Sequence, residues 1–85
     1  MFYTYVLRSE KDKKLYIGFS TDLRKRFGEH VSGLVPATRC RLPAKLIFYE
    51  AYLNKYDALR RERYFKTDKG KKTLEVMLAE YFRRI

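Results

Sequence analysis

The stretch KKLYIGFSTDLRKRFGEH, from Lys13 to His30, constrains the fold more than any other part of the chain. Leu15, Tyr16 and Ile17 form a short β-prone run that ends at Gly18. Ser20, Thr21 and Asp22 then offer N-cap side chains for a helix. Leu23, Phe27 and Val31 recur every fourth residue and predict an apolar stripe on a helix reaching about Ser32. Arg26 and His30 share the same spacing on a neighbouring face. Stability alone does not require a strand, a glycine and a basic helix in that order; a site that handles phosphate has a use for them.

The remaining elements follow from similar patterns. Phe2 to Arg8 is aromatic and β-branched and predicts a strand, and the polar SEKDK segment joins it to Lys14–Phe19 as a hairpin. With the turn centred on Glu10 and Lys11, Tyr5 faces Tyr16 and Tyr3 faces Gly18, so the four share one face of the sheet. The glycine- and proline-bearing SGLVPATRCRLPA segment reads as a loop. Lys45 to Tyr52 is a third strand, expected to be the most buried. Asn54 caps a helix running to about Lys66, Gly70 marks a break between Asp68 and Lys72, and Thr73 to Arg84 forms a last amphipathic helix. Leu74, Met77, Leu78, Tyr81 and Phe82 make up its apolar side. The expected fold is α+β, a three-stranded antiparallel sheet flanked by helices in the order β-β-α-β-α-α, with residues 1–85 as one domain.

The charge balance narrows the partner. Lys and Arg number 20 against 10 Asp and Glu, a net charge of +10 on 85 residues, which favours a polyanion such as nucleic acid. Cys40 is the only cysteine, so neither an internal disulfide nor a cysteine-based metal site is expected. No apolar run is long enough to span a membrane. The N-terminus reads as a strand running into charge and not as a signal peptide, which makes the cytoplasm the expected compartment.

Five positions can carry chemistry. The phenols of Tyr5 and Tyr16 titrate at about pH 10 when unperturbed and act as bases only if nearby cations or a metal-bound water help them. Arg26, one turn into its helix beside Gly18, is placed to grip a phosphate through two donors. His30, one turn later, is either a proton donor and phosphate contact or a surface histidine without a role. Glu62 lies among Arg60, Arg61, Arg63 and Lys66. It either balances local charge or binds Mg²⁺, an ion commonly held by one or two carboxylates together with substrate phosphates and water.

Taken together, Tyr3–Tyr5 (YTY), Tyr16–Gly18 (YIG), Arg26, His30 and Glu62 resemble the GIY-YIG nuclease domain over essentially the whole chain. The segments TDLRKRFGEH, TRCRLPAKLIFYE and ALRRERYFK are most similar to the small bacterial members, and more distantly to the N-terminal nuclease domain of the excision-repair excinuclease. The resemblance implies a divalent-metal-dependent endonuclease acting on nucleic acid, DNA in the first instance, in repair, recombination or related processing. It implies that Glu62 binds Mg²⁺ or Mn²⁺ and that Arg26 grips the scissile phosphate. One of Tyr5 and Tyr16 would activate water while the other positions it or contacts phosphate, and His30 would assist with proton transfer or phosphate binding. Tyr3, Gly18, Arg24, Lys25 and Arg39 are the expected substrate contacts. The chain departs from the family pattern at Tyr3, which stands where the first motif carries glycine. The alternative function is a non-catalytic nucleic-acid-binding module on the same fold. A protein partner for targeting, and either a monomer or a homodimer, fit both readings.

Overall fold

The aromatic run at the start of the chain becomes β1 (Phe2–Ser9), the middle strand of the sheet in this computed structural model, which describes residues 1–84. β2 (Leu15–Ser20) and β3 (Ala44–Tyr52) lie on either side of it, both antiparallel, in the order β2-β1-β3. The expected three-stranded antiparallel sheet is therefore present. Five helices accompany it: α1 (Leu23–Val31), α2 (Pro36–Arg39), α3 (Lys55–Phe65), α4 (Asp68–Met77) and α5 (Ala79–Arg83). None of the helices among the described residues is long and apolar enough to cross a membrane.

Strand order decides burial. β1 has a hydrogen-bonded neighbour on each edge and Thr4, Tyr5, Val6 and Leu7 are all buried, so both of its faces are covered. β3, expected to be the most buried strand, is an edge strand whose residues are half-buried or exposed. The hairpin register also differs from the expected one: Tyr5 pairs with Gly18, Tyr3 with Ser20 and Leu7 with Tyr16. The Ser9 hydroxyl sets this turn by accepting from the backbone N–H groups of Lys11 and Asp12, and Lys13 turns the chain with a left-handed φ of 64°. The turn is thereby centred one residue further along. A register shift of two preserves the side-chain alternation, so Tyr3, Tyr5, Tyr16 and Gly18 still share one face.

The opposite face carries the main core. Val6, Ile17, Phe65 and Leu74 are buried together, with Leu15, Ile47, Phe48, Tyr64 and Leu78 packed around them. Phe48 pairs with Val6 and Leu46 with Leu7, which leaves Ile47 as an extra residue in β3. This bulge lets Ile47 and Phe48 both serve the core. Asn54 caps α3 as expected by accepting from the Tyr56 N–H at 2.8 Å. The Thr4 hydroxyl ties α3 to β1 by donating to the Ala58 carbonyl at 2.6 Å.

Three helical expectations need correction. Inside SGLVPATRCRLPA, the segment read as a loop, Pro36 opens the short helix α2, because a proline suits the first turn of a helix. Gly70 does not break the chain; it lies within α4, whose N-cap Thr67 accepts from the Gly70 N–H at 3.0 Å. The terminal helix is divided at Leu78 into α4 and α5, which turns Met77 partly to solvent while Leu74 stays buried.

Gly70 is required because α4 starts hard against the end of α3: a Cβ there would overlap the backbone of Tyr64 and Phe65. Gly28 in α1 has open space at the same position. Gly70→Ala is expected to destabilise the fold by about 1–3 kcal/mol through overpacking. Gly28→Ala is expected to stabilise it by about 0.5–1 kcal/mol through helix propensity. Urea denaturation of the two variants checks the opposite signs.

Candidate active site

The second face of the sheet is covered from the Lys13–His30 stretch. Asp22 is the N-cap of α1, accepting from the Lys25 N–H at 3.1 Å, and the Ser20 hydroxyl holds the Asp22 backbone. The apolar stripe expected on α1 is incomplete, since Val31 is 48% exposed. The one buried residue of the helix is His30, which has no solvent exposure and is not a surface histidine. It turns inward because three polar and aromatic partners from other elements receive it.

Those partners form the centre of the site. The Tyr5 hydroxyl lies 2.8 Å from His30 Nε2, and Thr38 Oγ1 lies 2.7 Å from Nδ1. The rings of Tyr5 and Tyr16 both meet the imidazole edge-on, with centroids 5.7 and 5.1 Å away. The two phenol rings are 6.4 Å apart. Gly18 sits beneath this group, and a Cβ there would overlap the Tyr5 ring. Gly18, expected as a substrate contact, lies against the Tyr5 ring and supports the site from below. Thr38 escaped the sequence reading because it lies in the segment read as a loop. Pro36 signals the helical turn, but nothing local signals that Thr38 meets His30.

Burial dominates the electrostatics. It pushes the Tyr5 phenol up to about 12, and the nearby charges of Tyr16 and Glu62 add to the rise while the Arg26 guanidinium beside the same hydroxyl pulls the other way. Arg26 by itself therefore does not bring the Tyr5 phenol below its ordinary range. Burial also holds His30 below the usual imidazole range, with Arg26 adding to the effect. Arg26 is half-buried, pairs with Glu29 at 3.1 Å and lies near the Tyr5 hydroxyl.

Glu62 projects from α3 with its side chain 18% exposed, paired with Lys66 at 3.3 Å. Of the arginines near it in sequence, Arg61 is committed elsewhere: it donates to both Glu50 oxygens, at 2.8 and 3.2 Å, and lies over the Phe65 ring. Arg60 pairs with Asp57. No group of three or more His, Cys, Asp or Glu side chains among the described residues forms a metal cage. A part-exposed carboxylate that influences the Tyr5 hydroxyl fits a Mg²⁺ ion completed by water and phosphate oxygens.

The remaining expected contacts are distributed around this centre. Tyr3 and Arg24 line a cleft of about 490 Å³ between the sheet and the start of α1. Lys25 and Arg26 line a smaller depression with Ser20 and Glu29. Arg39 follows Thr38 on α2 but is exposed and takes no part in the hydrogen-bonded group.

The buried imidazole generates a pH prediction. The folded-state value of His30 is lowered, so its contribution to stability is full above about pH 6.5 and is lost as the pH falls through the folded-state value. NMR titration of the His30 ring should give a midpoint below that of a free histidine. Thr38→Val should cost about 1–3 kcal/mol in urea denaturation by leaving Nδ1 without a partner.

Known proteins share both the sequence pattern and the fold. A family model described as the GIY-YIG catalytic domain matches residues 1–75. The UPF0213 protein SAG0778 of Streptococcus agalactiae is 43% identical over 65 residues, covering 75% of this chain and 73% of its own. The UPF0213 protein SpyM50708 of Streptococcus pyogenes is 44% identical over 68 residues, covering 79% of this chain and 73% of its own. The solution NMR structure of the UPF0213 protein BH0048 from Bacillus halodurans superimposes with a TM-score of 0.57 at 32% identity, over 91% of this chain and 85% of that one. With the strand order and the helix order in agreement, the chain belongs to the GIY-YIG catalytic-domain family, whose members are generally nucleases, and is a relative of the UPF0213 proteins.

Proposed function

We propose that the chain is a divalent-metal-dependent endonuclease that hydrolyses phosphodiester bonds in DNA. The observation that carries this reading is the convergence of Tyr5, Tyr16 and His30 in mutual contact, with Arg26 one turn before His30 on the same helix. These side chains come from elements spread along the sequence: Tyr5 from β1, Tyr16 from β2, Arg26 and His30 from α1, and Glu62 from α3.

Each residue has a role its surroundings support. Arg26 is the phosphate grip, presenting planar donors where charge builds on the phosphoryl oxygens. Glu62 would hold Mg²⁺ or Mn²⁺, which when bound supplies further positive charge at the phosphoryl and leaving oxygens. The high pKa of Tyr5 disfavours a free phenolate, so its hydroxyl works as a relay. As water oxygen bonds to phosphorus, the phenol oxygen takes the water proton and passes its own to His30 Nε2. The P–O bond to the leaving strand breaks, and the departing oxygen is protonated by solvent. Thr38 accepts from Nδ1–H and so leaves Nε2 free to receive. Tyr16, over the same imidazole, lines the approach of water and phosphate. The net charge of +10 supplies affinity through salt-sensitive phosphate contacts.

The test is a cleavage panel of single-stranded, duplex, flap and branched DNA, and RNA, with and without Mg²⁺ or Mn²⁺. Cleavage of DNA that requires the metal, and that falls at least about 100-fold in Glu62→Ala and in Arg26→Ala, is the expected outcome. Cleavage that survives both substitutions overturns the assigned site. Binding without cleavage across the panel overturns the enzyme in favour of a binding module.

A further inference from the structure

We propose that the cleft between β1, β3 and the start of α1 is a subsite for one unstacked base of the substrate strand. This rests on the nucleic-acid reading above and adds to it a feature of the substrate: an unpaired nucleotide next to the cleaved phosphate.

The floor of the cleft is aromatic. Tyr3 and Tyr49 meet edge-on with centroids 6.2 Å apart, and Leu46 extends the surface. Tyr49 is 54% exposed, so its ring has a free face, which a large aromatic side chain on a small domain would otherwise bury. The roof is the first turn of α1, with Leu23 and the exposed Arg24.

The lining selects a base over a phosphate. The Asp22 carboxylate, which accepts from the Lys25 N–H at the start of α1, adds negative charge to the cleft wall. A phosphate is disfavoured beside that carboxylate, whereas a ring N–H, such as N3–H of thymine, or an exocyclic amino group of a base can donate to it. A volume of about 490 Å³ admits a planar heterocycle. Arg24 at the rim supplies a cation for the flanking phosphate.

Position ties the cleft to the chemistry. Tyr49 is the direct partner of Tyr5 across the β1–β3 pairing, so base and scissile phosphate would occupy adjoining parts of one sheet face. The depression lined by Lys25 and Arg26 shares Thr21 and Asp22 with the cleft, on the other side of the helix start. A strand can therefore lay its phosphate at Arg26 and its neighbouring base on Tyr49. A base within a duplex is stacked on both faces and cannot enter without being extruded.

Binding is measured by fluorescence anisotropy in EDTA, so that no cleavage is needed. The probes are an oligothymidylate of about 12 nucleotides, an abasic strand of equal length and charge, and the corresponding duplex. Oligothymidylate should bind about 5- to 100-fold more tightly than the abasic strand. Tyr49→Ala should abolish that gap and Tyr49→Phe should keep it; circular dichroism confirms that both variants fold. Arg24→Ala should weaken both strands alike and reduce the salt slope by about 0.7. Equal binding of the two strands by the wild type, or a full gap in Tyr49→Ala, overturns the subsite. A gap that depends on Tyr49 in a protein that cleaves nothing upholds the subsite while the enzyme reading fails. Absence of binding to any of the three probes at low salt overturns both.

Discussion

The structure depends on one buried contact: the Tyr5 ring laid on Gly18 with its hydroxyl against His30. Any side chain at position 18 would lift the ring off β2, and with it the hydroxyl from the imidazole. His30 in turn fixes how α1 lies on the sheet, because it is the one fully buried residue of that helix. Thr38 closes the arrangement by meeting the second ring nitrogen from α2. A neutral imidazole has one donor and one acceptor, and two hydroxyl groups satisfy both without any charge being buried. This is why a histidine is tolerated where an apolar residue would otherwise stand, and no buried side-chain nitrogen or oxygen among the described residues lacks a partner.

The same burial sets the chemistry. In a chain with a net charge of +10, a phenol would be expected to lose its proton more readily, yet the Tyr5 hydroxyl is pushed the other way. Most of the positive charge is on the surface, where water screens it, whereas desolvation acts directly on the buried oxygen. Arg26 is the local exception, half-buried beside the hydroxyl. A protonated Tyr5 beside a neutral His30 gives a pair able to shift a proton without either group resting in a charged state.

The other side of the sheet holds Glu62 in place. The Thr4–Ala58 hydrogen bond and the packing of Phe65 against Val6 seat α3 on β1, while Arg61 anchors it to β3 through Glu50. Arg61 offsets the cost of its partial burial with two charge-assisted hydrogen bonds and a ring face, so it stabilises position more than it adds free charge. α4 closes against the end of α3 at Gly70 and completes that layer.

Features that depend on a few neighbouring residues were legible in the sequence: the strands, the caps at Asp22 and Asn54, and the shared face of Tyr3, Tyr5, Tyr16 and Gly18. That face survived an error in the hairpin register because side chains alternate with a period of two. Local pattern does not reveal that β3 is an edge strand, that His30 displaces Val31 as the buried residue of α1, or that Thr38 receives it. It also cannot distinguish a glycine that ends a helix from one that lets two helices touch, as Gly70 does. The sequence by itself determined which side chains each element carries and on which face, since backbone geometry makes those periodic. Only the tertiary structure decided which of them meet, and which lose water, because burial is set by neighbours that arrive from distant parts of the chain.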